Sequence, residues 1–181
     1  SNATFSAAEN QTSIGTVSAS DVEGDTLSYS ISGSDLSINS STGVLTFTSA
    51  PNYETTTSYS ATVTVSDGTN TKTQDITVNV TNVDEAPTFT SSDTFSVAEN
   101  QTAIGTATAI DPEGETTTYS LNDAAIQINE STGVLTFITA PDFETTNSYE
   151  TTLTASDGTN TETQIRPRVE NSRTNQNCAI N

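Results

Sequence analysis

Tyr59-Ser60-Ala61-Thr62-Val63-Thr64-Val65-Ser66-Asp67-Gly68-Thr69-Asn70 holds the fold in miniature. Tyr59, Ala61, Val63 and Val65 fall on every second position with Ser or Thr between them, the period of a half-buried strand, and Asp-Gly then marks a turn. The alternation resumes at Ile76, Val78 and Val80, and it is already present upstream at Leu27, Tyr29 and Ile31. Further turn signals stand at Glu23-Gly24-Asp25, Ser41-Thr42-Gly43 and Ala50-Pro51-Asn52. No stretch sustains helical i, i+3, i+4 spacing over two turns. About seven short strands in roughly 90–100 residues predict an all-β sandwich of Greek-key type, immunoglobulin-like in its proportions.

The same text is written twice. At an offset of 90, Ala8-Glu9-Asn10-Gln11-Thr12 falls on Ala98-Glu99-Asn100-Gln101-Thr102, and Ser41 to Phe47 is repeated without change as Ser131 to Phe137. Of the 70 positions from Phe5 to Gln74, 43 are identical to their partners without a gap. Such a period marks an array of like units. The expectation is two tandem seven-stranded sandwiches.

Composition narrows the chemistry. The 181 residues include 23 acidic and 4 basic side chains and no histidine, for a net charge of -19 and a pI near 4.1. No basic surface for nucleic acid can be built from this set. No apolar run approaches the ~18–20 residues of a membrane span, so no membrane insertion is expected. Without His, and with Cys178 as the one cysteine, neither a Ser-His-Asp or Cys-His centre nor a His- or Cys-ligated zinc site can form. A carboxylate pair for glycoside hydrolysis is available in principle, but the acids lie at strand ends and turns, and the chain reads as not an enzyme.

Residues 1–3, Ser-Asn-Ala, read as the remnant of a cleaved expression tag. The first repeat is expected over 4–83, a linker over 84–87, the second repeat over 88–170 and an atypical tail over 171–181. The first repeat lacks the text matching Ala86 to Asp93, as expected of an excerpt from a longer array. Pro87 fixes its own φ and holds Ala86 extended, which predicts a stiff join. At the far end Gln164-Ile165-Arg166-Pro167-Arg168 replaces Gln74-Asp75-Ile76-Thr77-Val78. Proline there predicts a poorer strand and a less ordered, non-native tail.

The acids gather at turns and strand ends: Glu9, Asp21, Glu23, Glu54, Asp67 and Asp84. Clustered carboxylates repel one another unless a cation holds them, and calcium takes 6–8 oxygen ligands of this kind; magnesium, which keeps its waters, fits less well. The alternative is a merely solvated acidic face. Asp67-Gly68 and Asp157-Gly158 are also ordinary hairpin-turn text. Tyr29, Tyr59, Tyr119 and Tyr149 read as packing residues rather than a sugar platform, and the Asn10-Gln11-Thr12 sequon as coincidence in so Asn- and Thr-rich a chain.

In their order, twice over, these motifs resemble cadherin repeats, particularly the cadherin-like arrays of large bacterial surface proteins. Ala8-Glu9-Asn10 is similar to the family's x-Glu-Asn motif, Asn52-Tyr53-Glu54 and Asp142-Phe143-Glu144 to its Asp-Tyr/Arg-Glu motif, Asp111-Pro112-Glu113 to Asp-x-Asp, and Ala155-Ser156-Asp157-Gly158 to Ala-x-Asp. Thr81-Asn82-Val83-Asp84-Glu85-Ala86-Pro87 stands where the family has Asp-x-Asn-Asp-Asn-x-Pro. The resemblance covers roughly residues 4 to 164. It implies calcium held by Glu9 and Glu54, by Asp84 with backbone groups near Asn82 and Glu85, and by Asp111, Glu113 and Asp157. Asn52, Thr81 and Val83 depart from the family's ligands, which implies about one to three ions. It further implies an extracellular or cell-surface module that acts as a calcium-stiffened spacer or adhesive segment, with a cell-surface protein or polysaccharide as partner. The alternative from another class is a carbohydrate-binding module of a bacterial extracellular protein, against which the absence of Trp counts.

Overall fold

The computed structural model describes residues 3–172, with side chains described through Gln164. The chain divides into two compact units, Ser1–Val83 and Asp84–Asn181. Among the described residues there is no helix.

The first unit contains β1 (Thr4–Ala8), β2 (Ser13–Thr16), β3 (Ser28–Ile31), β4 (Leu36–Ile38), β5 (Val44–Phe47), β6 (Ser58–Ser66) and β7 (Thr71–Thr81). They form a four-stranded sheet in the order β1-β7-β6-β3 and a three-stranded sheet in the order β2-β5-β4. The stretch from Tyr59 to Asn70 is β6 from its second residue and the turn that leads into β7, and the register of the two strands sets Tyr59 opposite Val78 and Ala61 opposite Ile76. Because the side-chain period is two, this register sends Val63, Ile76, Val78 and Val80 to one face. There they pack with Leu36, Leu45 and Phe47 of the other sheet into one core. β1 runs parallel to β7, Phe5 beside Val78 and Ala8 beside Thr81.

The invariant Ser-Thr-Gly before β5 has a steric reason. Gly43 sits at φ 71° and Gly133 at φ 68°. A Cβ at either would overlap a backbone carbonyl oxygen, that of Val17 or Ala107. Only glycine combines the left-handed conformation with so close an approach.

The second unit repeats this plan with additions. It contains β8 (Thr88–Phe89), β9 (Thr94–Ala98), β10 (Ala103–Thr106), β11 (Ala109–Ile110), β12 (Thr118–Leu121), β13 (Ile126–Ile128), β14 (Val134–Phe137), β15 (Ser148–Ser156) and β16 (Thr161–Ser172). The sheets are β12-β15-β16-β9 and β10-β14-β13, with a two-stranded ribbon β11-β8. Instead of the seven strands expected per repeat, this unit has nine strand segments among the described residues. The extra pair arises because Phe89 and Thr88 lie opposite Ala109 and Ile110; in the first unit no strand forms at the matching Ala19 and Ser20. Residues 84–87, expected as a linker, belong to the second unit by their contacts, and Pro87 is fully buried.

At Pro167, where a poorer strand is expected, β16 continues to Ser172 and pairs with β9 through Asn171 and Ser172. The register on β15 shifts between Glu150 and Thr152: Glu150 faces Arg168 and Thr152 faces Ile165. Two residues, Arg166 and Pro167, thus oppose the single Thr151. This bulge accommodates a residue with no N–H to give. The rest of the expected tail, 173–181, lies outside the described residues.

The tyrosines pack as the sequence suggests. Tyr59 meets Phe47 edge-on at a centroid distance of 5.2 Å, and Tyr149 meets Phe137 at 4.8 Å. Tyr119 is buried, and its hydroxyl accepts from Ala109 N at 2.9 Å.

Candidate metal centre

The site residues fall into two sets, one on each unit. In the first unit β1 ends at Ala8, and Asn10 takes a left-handed turn at φ 62°, a conformation asparagine tolerates better than most residues. Two backbone bonds fasten the turn: Glu9 N to Thr81 O at 3.1 Å and Asn10 N to Pro51 O at 3.0 Å. Glu9 is thereby drawn inside, 1% exposed. Its Oε2 accepts from Tyr53 N at 2.7 Å and its Oε1 from Val83 N at 2.8 Å. Buried carboxylates require such donors.

Glu54 and Asn82 complete this set. A carboxylate oxygen of Glu54 lies within 4.8 Å of one of Glu9. One end of the Asn82 amide lies between them, 3.2 Å from Glu9 Oε1 and 3.0 Å from Glu54 Oε1. With its nitrogen inward the amide donates to both carboxylates. With its oxygen inward, three oxygens converge, an arrangement that a cation stabilises. The sequence placed Asn82 here through its backbone; the structure brings its side chain in as well.

In the second unit the turn after β11 curls around Asp111. Its Oδ1 accepts from Glu115 N at 2.9 Å, and its carbonyl accepts from Gly114 N at 3.1 Å. Asp111 is 5% exposed, and its Oδ2 has no hydrogen-bond partner among the described residues. Two more buried oxygens are in the same condition, Glu113 Oε1 and Asp157 Oδ2. Glu113 Oε2 accepts from Glu85 N at 3.4 Å, and carboxylate oxygens of Glu85 and Glu113 lie within 4.8 Å. Asp157 Oδ1 is taken up by its turn, accepting from Thr159 N at 2.5 Å and Asn160 N at 2.7 Å. Asp157 thus serves the hairpin with one oxygen and leaves the other for something else.

Oxygens of Asp84, Glu115 and Asp157 lie within 4.8 Å of one another. The Asp84 carboxylate, followed by burial and by Asp111, Asp157 and Glu113, holds the Glu115 carboxyl above its ordinary pKa. Glu115 is absent from the set read from the sequence, although its counterpart Asp25 is also acidic. Of the residues read from the sequence, Glu9, Glu54 and Asn82 come together in the first unit. Asp84 joins Asp157, and Glu85 joins Glu113, in the second.

A third acidic group, Glu99, Asp142 and Glu144, has oxygens within 4.8 Å. It repeats the first unit's Glu9 and Glu54, with Phe143 N donating to Glu99 Oε2 at 3.4 Å. Asp142 is bound into its own turn: the Thr145 hydroxyl first, then the Glu144 amide, holds its carboxyl below the usual range.

The donor set is entirely oxygen and mostly carboxylate, which suits a hard divalent cation and neither zinc nor copper. Three buried oxygens without donors are what such a cation would satisfy.

Comparison with known proteins places the chain. Residues 3–81 match the model of the cadherin domain family. A chitinase A from Pseudoalteromonas piscicida is 34% identical over 145 residues, covering 78% of this chain and 18% of that protein, so the chain spans a small part of that relative. Human protocadherin-24 EC1-2 (form II) superposes with a TM-score of 0.64 at 19% identity, over 94% of this chain and 95% of that one. Drosophila N-cadherin EC1-4 does so with a TM-score of 0.64 at 19% identity, over 95% of this chain and 47% of that one. At such identities the likeness speaks for the fold. The first unit thus matches the cadherin domain family, and the second repeats its text and its sheet order.

Proposed function

We propose that the chain is a non-enzymatic, calcium-binding extracellular module, a stiffened spacer or adhesive segment of a large surface protein of the bacterial adhesin type. The observation that supports this most directly is the set of buried, donor-less oxygens on Asp111, Glu113 and Asp157. Orphaned carboxylate oxygens are costly inside a protein unless a cation takes them up. Calcium would be held by Asp84, Glu85, Asp111, Glu113 and Asp157 on the second unit, and by Glu9, Glu54 and Asn82 on the first. When bound, it supplies positive charge that offsets carboxylate repulsion. Val83 and Asp84 are adjacent in the chain and each neighbours ligands, so an ion on these groups restrains the backbone torsions of the join. Small-angle scattering with calcium and with chelator tests this. A maximum dimension that calcium leaves unchanged would remove the stiffening role.

The match to a chitinase supports a second reading, a carbohydrate-binding module. Retention on chitin beads is its test. Tyr59, Tyr119 and Tyr149 pack inward, which leaves few exposed rings on which a sugar could stack.

A further inference from the structure

The geometry points to Glu115 as a cation ligand, and to a calcium site that the second unit completes from its own residues Asp84, Asp111, Glu115 and Asp157. The inference rests on the calcium reading above and extends it to a residue outside the quoted motifs.

Three observations converge. First, one oxygen each of Asp84, Glu115 and Asp157 lies within 4.8 Å of the others, close enough for one ion at the ~2.3–2.6 Å of calcium–oxygen contacts to reach all three. Second, Asp111 is 5% exposed with Oδ2 unpartnered among the described residues, and its Oδ1 fixes the Glu115 amide. Asp157 Oδ2 is likewise buried and without a donor. Acids that merely serve a turn spend their oxygens on backbone amides; these keep one oxygen back. Third, Asn160 Nδ2 donates to Asp84 O at 3.0 Å and so fixes the backbone that presents the Asp84 carboxylate.

The first repeat supplies the contrast. Asp25 stands where Glu115 stands, and Asp21 Oδ1 accepts from Asp25 N at 3.1 Å. Yet Asp67, the counterpart of Asp157, has its second oxygen satisfied by Asn70 Nδ2 at 3.1 Å. Among the described residues Asp25 joins no carboxylate group of this kind. The same turn is thus a plain turn in one copy, while in the other its Glu115 meets Asp84 and Asp157 and its Asp111 keeps a buried oxygen without a donor. Asp84, Asp111, Glu115 and Asp157 all belong to the second unit, so this site needs no group from the first.

The test is calorimetric calcium titration of the whole chain and of Glu115→Gln, Asp25→Asn and Glu54→Gln, with melting in chelator to compare folds. Removing one of four charged ligands by Glu115→Gln should weaken one binding step about tenfold. Asp25→Asn should titrate like the parent, and Glu54→Gln should retain at least one step. An unchanged isotherm for Glu115→Gln removes Glu115 from the site. Loss of every step in Glu54→Gln shows that the second unit does not suffice. If the parent chain itself binds no calcium, the proposed function falls, and this inference with it. Glu115 is exposed, so equal melting in chelator is expected; a large drop would assign it a role in the turn instead.

Discussion

Asn160 donates its side-chain amide to the Asp84 carbonyl at 3.0 Å, whereas its counterpart Asn70 donates to Asp67 Oδ2 at 3.1 Å. One residue in two copies thus has two tasks. In the first copy it satisfies its own turn; in the second it leaves Asp157 Oδ2 unpartnered and holds Asp84 instead. Asn160→Ala should weaken calcium binding about tenfold, the order found when a group that orients a ligand is lost. Asn70→Ala should leave it unchanged. Parallel calorimetric titrations check the pair.

Calcium should raise thermal stability. Binding to the native state alone adds RT ln(1 + [L]/Kd), about 2.7 kcal/mol at a hundredfold excess over Kd. Extracellular modules of this type work at ~10⁻⁴–10⁻³ M. Differential scanning calorimetry up to about 10 mM calcium, with magnesium as control, should show an upward shift with calcium. No shift would sink the ligand assignment.

The repeat supplies a second matched pair. Asp111→Asn keeps the acceptor that Glu115 N needs but removes the carboxylate charge and puts an amide NH2 at the buried Oδ2 position, so calcium binding should fall while the turn survives. Asp21→Asn, in the turn of the first copy, should keep its turn and leave calcium binding unchanged. Equal effects on calcium affinity would mean that both aspartates serve turns alone.

Each unit has its own core, so damage should stay local. Leu45 and Leu135 are the same residue in two copies, both fully buried. Leu45→Ala should cost about 2–5 kcal/mol, the range for a large-to-small core change. In chelator, calorimetry should then show one transition lowered and the other kept, and Leu135→Ala should give the opposite pattern.

Asp67 has a pH signature. Backbone amides of Asn70 and then Thr69 hold its carboxyl below the ordinary value. A depressed folded-state pKa contributes stability that is present above the unfolded value of about 3.9 and is lost as pH falls through the folded one. Asp67→Asn should therefore lower the melting temperature near neutral pH and converge with the parent as the medium turns strongly acidic. A gap that widens on acidification would reverse the sign and refute the cause.

The repeat and the strand pattern were legible because both are local or literal. Period two at Tyr59 to Val65 became β6, and Ser-Thr-Gly announced a turn in both copies. The ribbon of β8 and β11 was not legible, because two residues cannot display a period. How Pro167 fits its strand was not legible, because that depends on what lies opposite, and the single Thr151 that faces Arg166 and Pro167 stands on another strand. At the candidate site the acids of the quoted motifs were visible. Glu115 was not, since it stands four residues after Asp111 in a turn, and only the folded turn brings it beside Asp84 and Asp157. The acidic pair Asp25 and Glu115 at one repeat position was the signal available.

The parallel pairing of β1 with β7 has a mechanical side. The chain enters this unit along β1 and leaves it along β7, and the two strands lie side by side from Phe5–Val78 to Ala8–Thr81. Tension applied to the two ends pulls these strands past each other along their length. Their hydrogen bonds then bear load together in shear, where an antiparallel hairpin pulled from its open ends would unzip them one after another. β9 and β16 have the same arrangement in the second unit. Each repeat is thus strung so that tugging on the protein loads its longest strand against its first, and forced unfolding, which is governed by the unfolding rate, must break that ladder as a block.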